Sequence, residues 1–285
     1  MIIEKLMKQA EFTDVEKSIA NYLLRNGYEV KNMSISELAQ VTFSSPATIT
    51  RLCRKLDTEG YKNFQILFHS EYETYAAQGV VDVNHPFSGE DSFERIARNL
   101  AKLNIDTIQK TAAGFDYAQL KRVVRRMNAA DMVNIYGVGS SVNVALDFQQ
   151  KMLRFGRIVN LPQNSSFLPG YALMGTAKTV HLFMSLSGET RDVVDSLQLL
   201  KKRKSYCVAL TATPDSTIAR MCQEVIRVEI DENQSYESKI DSFAVYNAFH
   251  FVLDCLFSFL YGLDYDSNEK QSKEKANFIN ESKRR

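Results

Sequence analysis

Between Thr13 and Tyr75 the apolar side chains recur three and four residues apart. The sets are Ile19, Tyr22 and Leu23, then Ile35, Leu38 and Ala39, then Ile49, Leu52, Cys53 and Leu56. That spacing predicts amphipathic helices, and no strand-like alternation interrupts it. Thr13 with Glu16, and Ser34 with Glu37, read as capping boxes that start two of these helices. Residues 78–91, which include Gly79, Asn84, Pro86 and Gly89, read as a linker. Helical stretches follow at 92–111 and 116–128. The period then shortens. Met132–Tyr136, Arg157–Val159, Thr179–Met184, Tyr206–Leu210 and Val225–Val228 read as strands, with helices at 142–155, 190–200 and 216–222 between them. Strands alternating with helices predict a parallel sheet covered on both faces. An aromatic-rich helix over 240–261 closes the pattern, and the polar tail from Asp264 is expected to fray. No internal repeat is present.

The expected fold class is α plus α/β. A helix-turn-helix domain occupies 1–77 and a linker 78–91. A three-layer α/β/α domain with a five-stranded parallel sheet occupies 92–263, and a polar tail 264–285.

Composition narrows the class. The chain has 285 residues, 45% hydrophobic and 24% charged, which is ordinary for a globular protein. No apolar run approaches the ~18 residues of a spanning helix, and Met1-Ile2-Ile3-Glu4-Lys5 is unlike a secretory signal. Cys53, Cys207, Cys222 and Cys255 are scattered, as free thiols in a reducing compartment would be, so a cytoplasmic location with no membrane partner is expected. His69, His85, His181 and His250 show no ligand spacing, and no metal or cofactor is expected. A net charge of +1 gives no overall pull toward nucleic acid, so any basic surface has to be local.

Such a surface is present. A short helix over 36–40 is joined by Val41-Thr42-Phe43-Ser44 to a second helix, capped by Ser45 with Pro46 at its first position. Ser44, Ser45, Thr48, Thr50, Arg51, Arg54 and Lys55, with Lys62 beyond, supply the hydroxyls and cations that suit base edges and phosphates in a major groove. A merely solvated helix face is the alternative. Residues 16–64 resemble the N-terminal domain of the RpiR family of bacterial regulators. The likeness rests on Met33–Ala39, on Ser45–Leu56 and on Gly60-Tyr61-Lys62-Asn63-Phe64. Phe43 and Asp57 stand where that pattern favours glycine, which puts the shape of two turns in question.

In the C-terminal half, Gly137-Val138-Gly139-Ser140-Ser141 follows a strand and opens a helix, a place where backbone amides attract anions. A dinucleotide site is the rival, but Val142 replaces its third glycine and Asn160 its acidic residue. Ser185-Leu186-Ser187-Gly188-Glu189-Thr190 is a second strand-to-helix loop, rich in neutral donors; helix capping alone is its simpler reading. Together with Leu210-Thr211-Ala212 and Ser216-Thr217-Ile218-Ala219, these loops make residues 130–261 resemble the SIS domain, named for sugar isomerases. The resemblance implies that Ser185, Ser187, Gly188 and Thr190 hold a phosphate. It also implies that Gly139, Ser140 and Ser141 face a sugar, and that Glu237 and Lys239 add a further contact.

Taken together, the motifs lead to a sugar-phosphate-responsive regulator of carbohydrate genes, in the form of a repressor. Its partners would be a double-stranded operator, a sugar-phosphate effector and a second copy of itself, as homodimer or homotetramer. The alternative is an aldose–ketose isomerase with an accessory helical domain. It would need a base beside the sugar, for which Glu237 is conceivable and the mid-strand His181 poor. A non-catalytic scaffold is a third class, disfavoured by the basic 51–55 face. The runs Lys121–Arg126 and Lys201–Lys204 are expected to complement helix ends, and the aromatic stripe over 243–261 to form core and dimer surface.

Overall fold

A computed structural model of the chain describes residues 2–9, 11–78, 81–201, 203, 205–230 and 239–282. The chain divides into two compact units, Met1–Val81 with Phe87–Asn99, and Asp82–Pro86 with Leu100–Arg285. These units do not follow the expected boundaries. The 78–91 segment is shared between them, and the division falls inside a helix rather than in a linker.

The first unit is helical: α1 (Ile2–Lys8), α2 (Asp14–Val30), α3 (Ile35–Val41), α4 (Pro46–Lys55) and α5 (Tyr61–Gln78). Both predicted capping boxes form. Thr13 and Glu16 exchange side-chain-to-backbone bonds, as do Ser34 and Glu37, so orphan N–H groups at both helix starts are satisfied. Ser45 caps α4 by accepting from the Thr48 amide, with Pro46 at the first position. Leu6, Ile19, Leu23, Leu38, Ile49, Leu52, Phe64 and Phe68 are buried together as one core. Helix α1 was not expected, yet Ile2, Ile3 and Leu6 carry the helical spacing and enter that core.

The two turns that lacked glycine are left-handed. Phe43 has φ 49° and Asp57 φ 59°, so the backbone there takes the conformation that glycine adopts without strain.

The second unit holds most of α6 (Phe93–Ala113), followed by α7 (Tyr117–Asn128), β1 (Met132–Tyr136), α8 (Ser140–Arg154) and β2 (Val159–Asn160). A 3-10 turn at Ser165–Phe167 leads into α9 (Leu168–Met174). Next come β3 (Thr179–Met184), α10 (Arg191–Lys201), β4 (Tyr206–Thr211), α11 (Thr217–Met221), β5 (Glu224–Arg227), α12 (Val245–Gly262) and α13 (Tyr265–Ser282). The five strands form one sheet in the order β2-β1-β3-β4-β5, parallel throughout. On one face Val133, Ile135, Leu182 and Val208 pack with Val123 of α7, Phe148 of α8 and Phe249 and Leu253 of α12. On the other, Tyr136, Phe183 and Ala209 pack with Leu168 of α9, Leu197 of α10 and Ile218 of α11. The predicted three layers are present.

Four expectations need correction. The last aromatic helix begins at Val245, not at residue 240. The second strand is Val159–Asn160, one to two residues later than read. Helix α9 was missed because Pro169 and Gly170 look like breakers, although proline is tolerated in a first helical turn. The polar tail is helical to Ser282. It carries the Lys273–Glu269 ion pair, and the buried Asn268 donates to the Tyr261 carbonyl.

Candidate nucleic-acid interface and effector site

Helix α4 turns Ile49, Leu52 and Cys53 into the core and leaves its other faces to solvent. Arg51, Arg54 and Lys62 are exposed, as is Ser45; Ser44, Thr48 and Thr50 are half-buried. The hydroxyls are already organised. Ser45 Oγ lies 2.9 Å from Thr48 Oγ1, Thr50 donates to the Pro46 carbonyl at 2.9 Å, and Ser44 Oγ meets Thr42 Oγ1 at 2.9 Å. An Arg51 guanidinium nitrogen reaches Thr48 Oγ1 at 3.4 Å.

Lys55 differs from the other cations expected at this face. Its ammonium donates to Glu16 Oε2 at 2.8 Å and to the Glu11 carbonyl at 2.9 Å. The Glu16 side chain is only 5% exposed. Burial alone would raise its pKa. Hydrogen bonds from Lys55 and from the backbone and hydroxyl of Thr13 outweigh that and hold it below the ordinary value. Lys55, although exposed, is therefore engaged within this unit by Glu16 and Glu11. Sequence spacing could not show this, because the partner lies 39 residues away.

In the second unit the two candidate loops leave β1 and β3, which are neighbours in the sheet. Helix α8 after β1 packs on one face and α10 after β3 on the other. The loops therefore stand at the point where the connections diverge, beyond the carboxyl ends of the strands. Open α/β sheets bind ligands in that crevice.

The 137–141 loop places Gly139 at φ 61° as the N-cap of α8, with no side-chain cap on that helix start. The Val142 amide of that first turn donates to the Gly139 carbonyl at 3.0 Å, and no side chain caps the turn. Ser140 is exposed and Ser141 is buried beneath it.

The 185–190 loop is bound more tightly. Ser185 is 3% exposed; its Oγ accepts from the Gly188 amide at 3.0 Å and meets Thr190 Oγ1 at 2.8 Å. Ser187 Oγ accepts from the Glu189 amide at 3.1 Å. Gly188 has φ 65°, and a Cβ there would lie 2.0 Å from Ser216 Oγ, so both conformation and space require glycine. Glu189 Oε1 accepts from the Thr217 amide at 2.7 Å, tying the loop to the start of α11. That contact with Thr217 also lowers the pKa of Glu189. The loop roles of Glu189 and Ser216 were missed, because each acts across the fold on a partner distant in sequence.

Lys239 is buried and donates to Ser242 Oγ at 3.0 Å. Glu237 lies outside the described residues. His181 is fully buried in β3 and shares a 2.8 Å hydrogen bond with the Tyr136 hydroxyl through Nδ1. Burial first, and the nearby Arg203 charge second, lower its pKa to about 4. Asp147, His250 and Asp254 gather within metal-ligand reach. Between them, however, the Lys151 ammonium bonds both Asp147, at 2.6 Å, and Asp254, filling that place with an internal cation.

The sequence profile of the helix-turn-helix domain of the rpiR family matches residues 2–75, and that of the SIS domain matches residues 127–251. The chain thus carries an rpiR-type helix-turn-helix domain followed by a SIS domain. That is the domain make-up of an HTH-type transcriptional regulator. An uncharacterized HTH-type transcriptional regulator of Haemophilus influenzae is 27% identical over 267 residues, covering 94% of this chain and 92% of that one. The Vibrio vulnificus NanR protein, solved with ManNAc-6P, shares the fold with TM-score 0.60 and 23% identity over 98% of each chain. The sugar isomerase domain of an RpiR transcription factor from Sphaerobacter thermophilus aligns with TM-score 0.56 and 17% identity, over 64% of this chain and 98% of that one. Among the described residues of this chain, no helix is long and apolar enough to cross a membrane.

Proposed function

We propose that this regulator reads an operator through Ser44, Ser45, Thr48, Thr50, Arg51, Arg54 and Lys62. It takes a phosphorylated sugar over the 137–141 and 185–190 loops, and the sugar changes its hold on DNA. One observation carries the effector half: two amide- and hydroxyl-lined loops stand side by side at the β1/β3 divergence. Ser185, Ser187, Gly188 and Thr190 surround the phosphate, while Gly139, Ser140 and Ser141 face the sugar. Glu237 and Lys239 add a further contact to the ligand. The ManNAc-6P bound to the Vibrio vulnificus protein of the same fold supports a phosphorylated sugar as ligand class.

The regulator works in the cytoplasm, beside the chromosome, as a repressor. It acts as a homodimer or homotetramer, because one recognition helix reads too few base pairs and paired half-sites supply the rest. It has no turnover of its own. His181, the only histidine on the central strands, is buried, near pKa 4 and engaged by Tyr136, which leaves it unfit as a base for the sugar.

The test is calorimetry with a panel of hexose and amino-sugar phosphates, ManNAc-6P among them, and the matching free sugars. One phosphate ester should bind, and its free sugar should bind at least tenfold more weakly, since a coupling of even ~1.4 kcal/mol is that large. The double variant Ser187→Ala, Thr190→Ala should lose the effector response and keep basal operator binding. Equal affinity for sugar and ester would refute the phosphate role of the 185–190 loop.

A further inference from the structure

The turn before the recognition helix carries a side chain that the fold does not use. Phe43 is 95% exposed, among the most exposed large apolar side chains described. Its backbone is left-handed, at φ 49°. Left-handed backbone is costly for a bulky residue, and an aromatic ring left in water forgoes the gain of burial. Lone exposed apolar residues are ordinary on protein surfaces. One held in a disfavoured backbone conformation is not, since glycine at this position would relieve both penalties.

Three other non-glycine residues of this unit are left-handed, Gln9, Glu11 and Asp57, and all three have polar side chains. Asp57 has a short polar side chain of a kind that tolerates this conformation, and it pairs with Lys5. Phe43 has neither advantage.

The turn is also rigid. The Phe43 amide donates to the Gln40 carbonyl at 3.2 Å, and the Ser44 amide to the Ala39 carbonyl at 2.8 Å. Thr42 is buried and donates its hydroxyl to the Leu38 carbonyl at 2.7 Å. The ring is therefore presented from a fixed support, two residues ahead of Ser45, the N-cap of α4. In a helix-turn-helix the first residues of the second helix reach base edges. The adjoining apolar feature of a major groove is the 5-methyl group of thymine, which phenylalanine suits.

We propose that Phe43 is a specificity-determining DNA contact that packs on a thymine methyl group at the edge of each half-site. It deepens the operator-binding reading above and rests on it. The ring adds no charge, so its contribution belongs to sequence preference and not to the salt-dependent hold on phosphates.

The test uses the full-length protein. Duplexes enriched from a random library by the wild type serve as probe, and each thymine is then replaced singly by deoxyuridine, which removes only the methyl. One such replacement should weaken wild-type binding about fourfold, the worth of one buried methyl group. Phe43→Ala and Phe43→Gly should bind the enriched duplex roughly tenfold more weakly. Both should be indifferent to that same replacement and keep the wild-type salt slope, and Phe43→Gly should melt higher than wild type. Phe43→Gly controls for the turn, because it fits the left-handed backbone better than phenylalanine does. If both variants enrich the same sequence with wild-type affinity, or keep the full deoxyuridine penalty, the proposal is overturned while the operator-binding reading stands. If the wild type enriches no sequence, that reading fails first and the proposal with it.

Discussion

Replacing Lys55 by alanine separates a structural cation from a DNA-binding one. The Lys55–Glu16 pair joins an ammonium on a side chain 40% exposed to a carboxylate on one 5% exposed. Fully exposed pairs contribute under ~1 kcal/mol, and breaking a fully buried pair costs ~3–5 kcal/mol. One buried partner and one half-exposed partner place the loss near ~2 kcal/mol, since Glu16 would be left charged and under-solvated. For a helical unit of this size that lowers the midpoint by roughly 10 °C. Lys55→Met keeps the aliphatic stem and should lose nearly as much, which isolates the charge. The pH dependence has a definite sign. The folded Glu16 pKa lies below its ordinary value of 4.5, so the pair stabilises above that range and is lost as pH falls through the lower folded value. The gap between wild type and Lys55→Ala should therefore close on acidification. Differential scanning calorimetry of the full chain from pH 7 to pH 3 measures it. DNA binding, assayed well below the melting transition, should keep its salt slope in Lys55→Ala, whereas Arg51→Ala should reduce it by ~0.9 per half-site. A Lys55→Ala protein as stable as wild type, with a salt slope shallower by about one per half-site, would refute the reasoning and return Lys55 to the DNA interface.

Two other outcomes are expected from the second unit. His181 has a folded pKa of about 4 against an ordinary 6.5, so the unfolded chain takes up the proton first and stability falls as pH drops from 6.5 toward 4. At 1.36 kcal/mol per unit the loss approaches ~3 kcal/mol, and urea titrations of His181→Gln across that range should show a flatter profile. Gly188→Ala combines a left-handed backbone with a Cβ 2.0 Å from Ser216 Oγ, so the 185–190 loop must shift. Effector binding by calorimetry should be lost and operator binding retained; a retained effector affinity would show that the loop is not the phosphate seat.

Local chemistry was legible where neighbours in sequence decide the outcome. The capping hydroxyls Thr13, Ser34 and Ser45 and the ends of β1 and β3 depend on residues within a few positions, whereas the turns at Phe43 and Asp57, left in question by the absence of glycine, turn out left-handed all the same. The helix at Tyr265–Ser282 was not legible, because its stability comes from charged pairs and docking, and not from an apolar stripe. The sheet order, which sets the two loops side by side, is a long-range property that no window of sequence contains. The same holds for Lys55, whose spacing on α4 suits DNA and whose partner is Glu16. Glycine 188 could be seen as permissive, but only the packed Ser216 shows why nothing larger fits.

The loop from Ser185 to Thr190 contains a single charged side chain, and that one, Glu189, is acidic. A phosphate seated there, as proposed, meets only hydroxyls and amides within the loop itself. Arg51, Arg54 and Lys62 are cations open to water, and their attraction for DNA weakens as counterions crowd in. On the proposed reading the two anionic ligands are held by different physics, and rising ionic strength weakens the grip on DNA more than the grip on the effector.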